Sequence, residues 1–267
     1  MGKLQNLIDL QPTQSFILLI IIISLISFAL MLTVPNAQTP ESFPGLPIWL
    51  VAIWSPNIAT LIIWATKKSL INNIQLAFSF SKLSWWTLLI LIPIINAIIL
   101  ISVEVINGTS IKWSNLKFSN LLLLILINLF MGPMGEELGW RSFLYPALKN
   151  NYGWLASALI VGVIWAFWHA PLWLLDSPQS KIPFGAFTVN VICLSIIMAI
   201  LYNHSRNSII PVILLHLTFN MSLGVVDILD THKPGDYVIK SLYVYIPLVI
   251  LLLGLHELTS KNECHLN

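Results

Sequence analysis

The run from Ser15 to Val34 contains no charged side chain, and it constrains the chain more than any other feature. At 1.5 Å per residue it makes a helix of about 30 Å, the thickness of a bilayer's hydrocarbon core. The apolar region of a secretory signal is only about 7–15 residues long, so this run reads as a membrane span rather than a leader cut near Ala37. Seven more stretches follow the same logic. They cover about 46–66, 84–106, 119 into the Glu136-Glu137 pair, 152–175, 183–203, 207–226 and 238–255. The expected fold is therefore all-α, a polytopic membrane helical bundle of about eight transmembrane helices.

Composition agrees. Of 267 residues, 57% are hydrophobic and 9% charged. A water-facing domain carries about 25% charged residues, so the chain has too few to cover a soluble surface. The net charge of +2, with no basic run, argues against nucleic acid as a partner. The lipid bilayer is the expected surround. Cys193 falls mid-span and Cys264 in the polar tail, which argues against a disulfide between them.

With an even span count the termini share one side. That side holds Lys3, Lys67, Lys68, Lys82, Arg141, Lys149, Arg206 and Lys261, against Lys112, Lys117, Lys181, Lys233 and Lys240 on the other. The positive-inside rule then places both termini in the cytoplasm. Ile, Asn and Leu usage suits a low-GC bacterium and hence a bacterial plasma membrane.

Three segments carry chemistry. The first is Gly135-Glu136-Glu137-Leu138-Gly139-Trp140-Arg141. Charged groups at a bilayer centre cost at least about 2.5 kcal/mol each, so they face protein or a wet cavity. Adjacent helical residues point about 100° apart, so Glu136 and Glu137 cannot share one role. Glu137 and Arg141 have the favourable i,i+4 order for an ion pair, leaving Glu136 free for another partner. Gly135 and Gly139 form a small-xxx-small pattern, which by itself implies close helix packing.

The second segment is Trp165-Ala166-Phe167-Trp168-His169-Ala170-Pro171, where Pro171 loosens the helix beyond the histidine. The third, Leu215-His216-Leu217-Thr218-Phe219-Asn220, puts His216 and Asn220 on one face. Of six histidines only His169 and His216 sit well inside spans. If the helix continues from Arg141 to Lys149, Glu136 and His169 lie about 22 and 27 Å from a shared turn, at similar depth. His216 is shallower, about 15 Å from its own turn, unless the spans tilt.

Two chemistries fit this set. Glu136 could activate a water as general base while His216 and Asn220 stabilise the oxyanion of an attacked amide. Alternatively Glu136, His169 and His216 could ligate zinc with one open position. Either leads to peptide hydrolysis. Other hydrolase patterns fail: His256-Glu257-Leu258-Thr259-Ser260 lacks the second histidine of HExxH, Gly235-Asp236 lacks a second glycine, and no GxSxG occurs.

The order Glu136-Glu137-x-x-x-Arg141, aromatic-x-x-x-His169, His216-x-x-x-Asn220 resembles the CPBP family. That family includes CAAX prenyl proteases of the Ras-converting type and bacteriocin-processing Abi proteins. The resemblance covers roughly 115–225. It divides the chain into about three N-terminal spans (1–114), a catalytic core (115–225), and a last span with a polar tail (226–267). It implies an intramembrane endopeptidase acting on a membrane-associated protein or peptide. Glu136 would activate water, Glu137 held by Arg141 would be its partner carboxylate, and His169, His216 and Asn220 would complete the site. Both a metalloprotease and a metal-free mechanism are attached to the family. The second motif usually begins with Phe, where this chain has Trp165. Two non-protease readings compete: a bacteriocin self-immunity or scaffold protein, and a proton-coupled transporter. No repeated halves or matched pair of broken helices favour the transporter.

Overall fold

The computed structural model describes residues 2–79, 98, 101–102, 108, 117–175, 177–228 and 234–264. Among them every regular element is helical. The expected span at 84–106 lies outside the described residues except for three positions.

Helix α1 is Gly2–Leu10, and α2, Pro12–Thr33, is the charge-free run. Proline at its first turn costs nothing there, because the missing N–H would have had no helical partner. The second stretch is not one rod. Helix α3, Gly45–Ile53, and α4, Ser55–Thr66, meet at Trp54 and bend by 58°. Pro56 starts the new helix and cannot continue the old one. A short α5, Leu70–Ala77, follows.

Helix α6 is Phe118–Phe130, and α7, Pro133–Glu137, begins after a break at Gly132-Pro133. The backbone then widens into a π-helical segment, Leu138–Leu144, and returns to α-helix in α8, Tyr145–Tyr152. Gly153, at φ +75°, turns the chain where a side chain would be strained. Helix α9, Trp154–Trp168, ends at His169, and two short 3₁₀ turns lead to α10, Phe184–His204. Helices α11, Ile210–Ile228, and α12, Pro234–Cys264, complete the chain.

Five described helices or helical runs are long and apolar enough to cross a membrane, and six if the bent α3–α4 pair counts as one span. Helix α11 is shorter in its apolar part, Ile210–Val225. Seven of the eight expected stretches thus coincide with described helices. The described residues give five to six qualifying spans, so eight is not reached.

Helix α10 is the buried centre, packed between α9 and α12. Its polar residues are paired across helices: Ser195 Oγ donates to the Ala158 carbonyl (2.7 Å), and Asn190 Nδ2 to that of Val238 (2.8 Å). Outward faces stay apolar, as at Leu18, Ile21, Ile22 and Leu25 on α2. A patch of that kind suits lipid, not water. The chain is an integral membrane protein.

Candidate active site

The helical run 121–152 has 32 residues, and Glu136 lies at its middle. Either end is about 22–24 Å away at 1.5 Å per residue, so a crossing run holds the Glu pair near mid-depth. Both carboxylates are buried. The π-helical turn directly after them follows a recurring pattern, since such bulges gather at functional sites.

The two acids take different partners. Glu137, with no exposed surface, accepts at Oε1 from Arg141 Nη1 (3.1 Å) and from His216 Nδ1 (2.6 Å), and its Oε2 lies 3.0 Å from Arg141 Nη1 as an ion-pair contact. The expected Glu137–Arg141 pair is present, and Glu137 also orients His216, which spacing alone does not reveal. Glu136 Oε2 instead accepts from the indole N–H of Trp165 (2.6 Å). Its Oε1 is the carboxylate oxygen that this bond leaves over.

Trp165 is the aromatic that stands where the family motif usually has Phe. The sequence marks it only as one aromatic standing for another. In the structure it is a donor, and its ring also touches two other members of the set. The Arg141 guanidinium carbon lies 4.3 Å from the ring centroid, a cation–π contact. The His216 ring meets it edge-on at 5.1 Å. Its spacing of four from His169 was the available clue, because residues i and i+4 share a helix face.

Both histidines are held through Nδ1. His169 Nδ1 lies 2.8 Å from the Trp165 carbonyl, and His216 Nδ1 faces Glu137. Each partner is an acceptor, so Nδ1 carries the proton in both rings and Nε2 is turned to other business. Asn220 completes the group. A Cβ placed on Gly132 would fall 2.7 Å from Asn220 Nδ2 and 3.9 Å from His216 Nε2, so these nitrogens turn to one spot beside the Gly132 backbone. Gly132 is thus part of the site by close approach of its backbone.

Glu136, His169, His216 and Asn220 all line one cavity of about 490 Å³. Its far wall is apolar, built by Phe28, Met31 and Trp49 of α2 and α3 together with Leu172. The N-terminal helices therefore form part of the cavity. The shallower starting depth of His216 does not keep it from the set.

The zinc expectation finds no ligand cage. Among the described residues, no group of three His, Cys, Asp or Glu side chains could hold a metal ion. Glu136, His169 and His216 share the cavity but do not assemble as a ligand set. One Glu136 oxygen is held by Trp165 and each imidazole by its Nδ1, which leaves Glu136 Oε1 and the two Nε2 atoms as the donors a metal would have to use.

Residues 118–222 match the family described as type II CAAX prenyl endopeptidase Rce1-like. A protein from Methanococcus maripaludis named CAAX prenyl protease 2 is 25% identical over 205 residues, covering 70% of this chain and 74% of that protein. The matched segment contains all three motifs, and the family resemblance read from them stands. This homology supports an intramembrane protease.

Proposed function

From that family match we propose that the chain hydrolyses a peptide bond of a membrane-associated protein or peptide, with Glu136 as the general base. The observation that carries the reading is a buried carboxylate in a largely apolar cavity, one oxygen held by Trp165, beside His169, His216 and Asn220. A carboxylate fixed through one oxygen can present the other to a water. Glu136 takes the water's proton as the oxygen attacks the scissile carbonyl. The resulting oxyanion is met by Asn220 Nδ2 and by His216 Nε2, which donates when the ring carries a second proton; Glu137 and Arg141 maintain the orientation of that ring. The tetrahedral intermediate collapses as the C–N bond breaks, and Glu136 returns the proton to the leaving amine. His169 Nε2 accepts from the attacking water and steers it.

The substrate enters as an extended segment whose apolar side chains rest on Phe28, Met31 and Trp49. With an even span count both termini face the cytoplasm: Arg141 is buried beside Glu137 and drops out of the count, which leaves seven Lys and Arg on the side of the termini against five. The test compares protein N-termini in membranes of cells carrying the intact chain, Glu136→Ala or His216→Ala. New N-termini present only with the intact chain are the expected result. If both variants keep the chain's biological effect, the residues serve binding and the immunity or scaffold reading replaces proteolysis.

A further inference from the structure

The break between α3 and α4 lies outside the matched segment 118–222, yet it docks on the Glu136 motif along its length. Asn57, buried at 1% exposure, donates from Nδ2 to the Met134 carbonyl (2.7 Å) and accepts at Oδ1 from the Gly139 N–H (3.0 Å). Met134 and Gly139 are five apart, the spacing that a π-turn closes, and they bracket Glu136 and Glu137. A carboxamide holds a donor and an acceptor in one plane, as a peptide group does. Asn57 therefore bridges the two backbone groups as an extra peptide unit would.

Neighbours of Asn57 extend the contact. Trp54 Nε1 donates to the Phe130 carbonyl (2.9 Å), at the end of α6 just before the Gly132-Pro133 break. Ser55 Oγ lies 3.1 Å from Ser24 Oγ, which accepts from Trp168 Nε1 (2.9 Å), next to His169. Gly135 and Gly139 have no room for a Cβ: it would meet Trp54 at 2.7 Å and Pro56 at 2.5 Å.

We propose that Asn57 is a positioning residue, which sets the directions of Glu136 and Glu137 by clamping the backbone on both sides of them. It touches neither carboxylate and acts only through Met134 and Gly139. For catalysis this rests on Glu136 being the base; for the backbone it rests on the two hydrogen bonds alone.

The experiment uses the full-length protein as wild type, Asn57→Ala, Asn57→Asp and Glu136→Gln. Amide hydrogen exchange is followed by mass spectrometry in detergent, and Glu136-dependent N-termini are counted in membranes. Asn57→Ala should speed exchange within 134–144 by about tenfold while α9 to α11 exchange as in wild type. Cleavage should fall about 100-fold, the effect of displacing a reacting group by an ångström. Asn57→Asp keeps the acceptor for Gly139 and should fall between; it carries the comparison if the alanine variant does not fold. Glu136→Gln should abolish cleavage with wild-type exchange. Wild-type exchange in 134–144 for Asn57→Ala, or undiminished cleavage, overturns the inference. If Glu136→Gln still cleaves, the general-base reading fails, and the exchange comparison alone decides the role of Asn57.

Discussion

Two helix breaks meet in this molecule, one at Trp54-Ser55-Pro56 and one at Gly132-Pro133, and they carry opposite kinds of side chain. Each restarts its helix with proline. The first is surrounded by neutral hydrogen-bonding groups, those of Trp54, Ser55 and Asn57. The second leads directly into Glu136, Glu137 and, one turn later, Arg141. Backbone groups released by a break inside an apolar span must find partners, and neutral donors and acceptors supply them without the cost of burying charge. Buried charges need one another or strong donors. One break is thus suited to bracing, and the other bears the reactive groups. Their contact ties a motif within 118–222 to residues near position 55.

Within the charged break the two acids divide the same way, and substitutions can test that division. The largest expected effect is that of Glu136→Gln, which should lower cleavage by about 10²–10⁴-fold. The glutamine keeps an acceptor for Trp165, so the thermal unfolding midpoint in detergent should stay near wild type. A variant that still produces the N-termini would remove Glu136 from the reaction.

Glu137→Gln should act on stability as well as on cleavage, since Glu137 holds both Arg141 and His216. Arg141, 2% exposed, would lose its carboxylate, and breaking such a pair costs about 3–5 kcal/mol. Thermal unfolding should show a large fall for this variant and little change for Glu136→Gln. Equal stabilities would mean that the two acids are not divided as described.

Trp165→Phe tests the donor separately from the ring. Phenylalanine keeps an aromatic face for Arg141 and His216 but cannot bind Glu136. Loss of a hydrogen bond to a charged group, worth about 1.5–3 kcal/mol, predicts cleavage reduced by about tenfold or more. Unchanged cleavage would return Trp165 to the role of a wall.

The smallest pair of effects concerns glycines. Gly139→Ala places a methyl 2.5 Å from Pro56 Cβ and should destabilise by about 1–3 kcal/mol. Gly254→Ala on α12 meets nothing within 4 Å and should cost nothing measurable in the same unfolding assay. If both variants unfold alike, the breaks are not tightly docked.

Much of this was legible in the chain. Long apolar runs mark helices because each must satisfy its own backbone inside lipid, so Pro12–Thr33, Trp154–Leu174 and Phe184–His204 fall close to where they are expected. The Glu137–Arg141 pair was legible because both residues lie on one helix, where spacing fixes distance. The 58° bend after Ile53 was not, since Pro56 permits a break without setting its angle. Nor did spacing reveal the His216–Glu137 and Trp165–Glu136 bonds, because their partners lie 79 and 29 residues apart.

The sequence by itself therefore determined the medium, the helices and the identity of the ionisable set, all of which follow from local composition and period. Only the tertiary structure decided which acid faces the cavity, which nitrogen of each histidine is left over, and that Asn57 reaches across to the motif. Those outcomes depend on how separate helices pack, and on where breaks leave backbone groups that a distant side chain must satisfy.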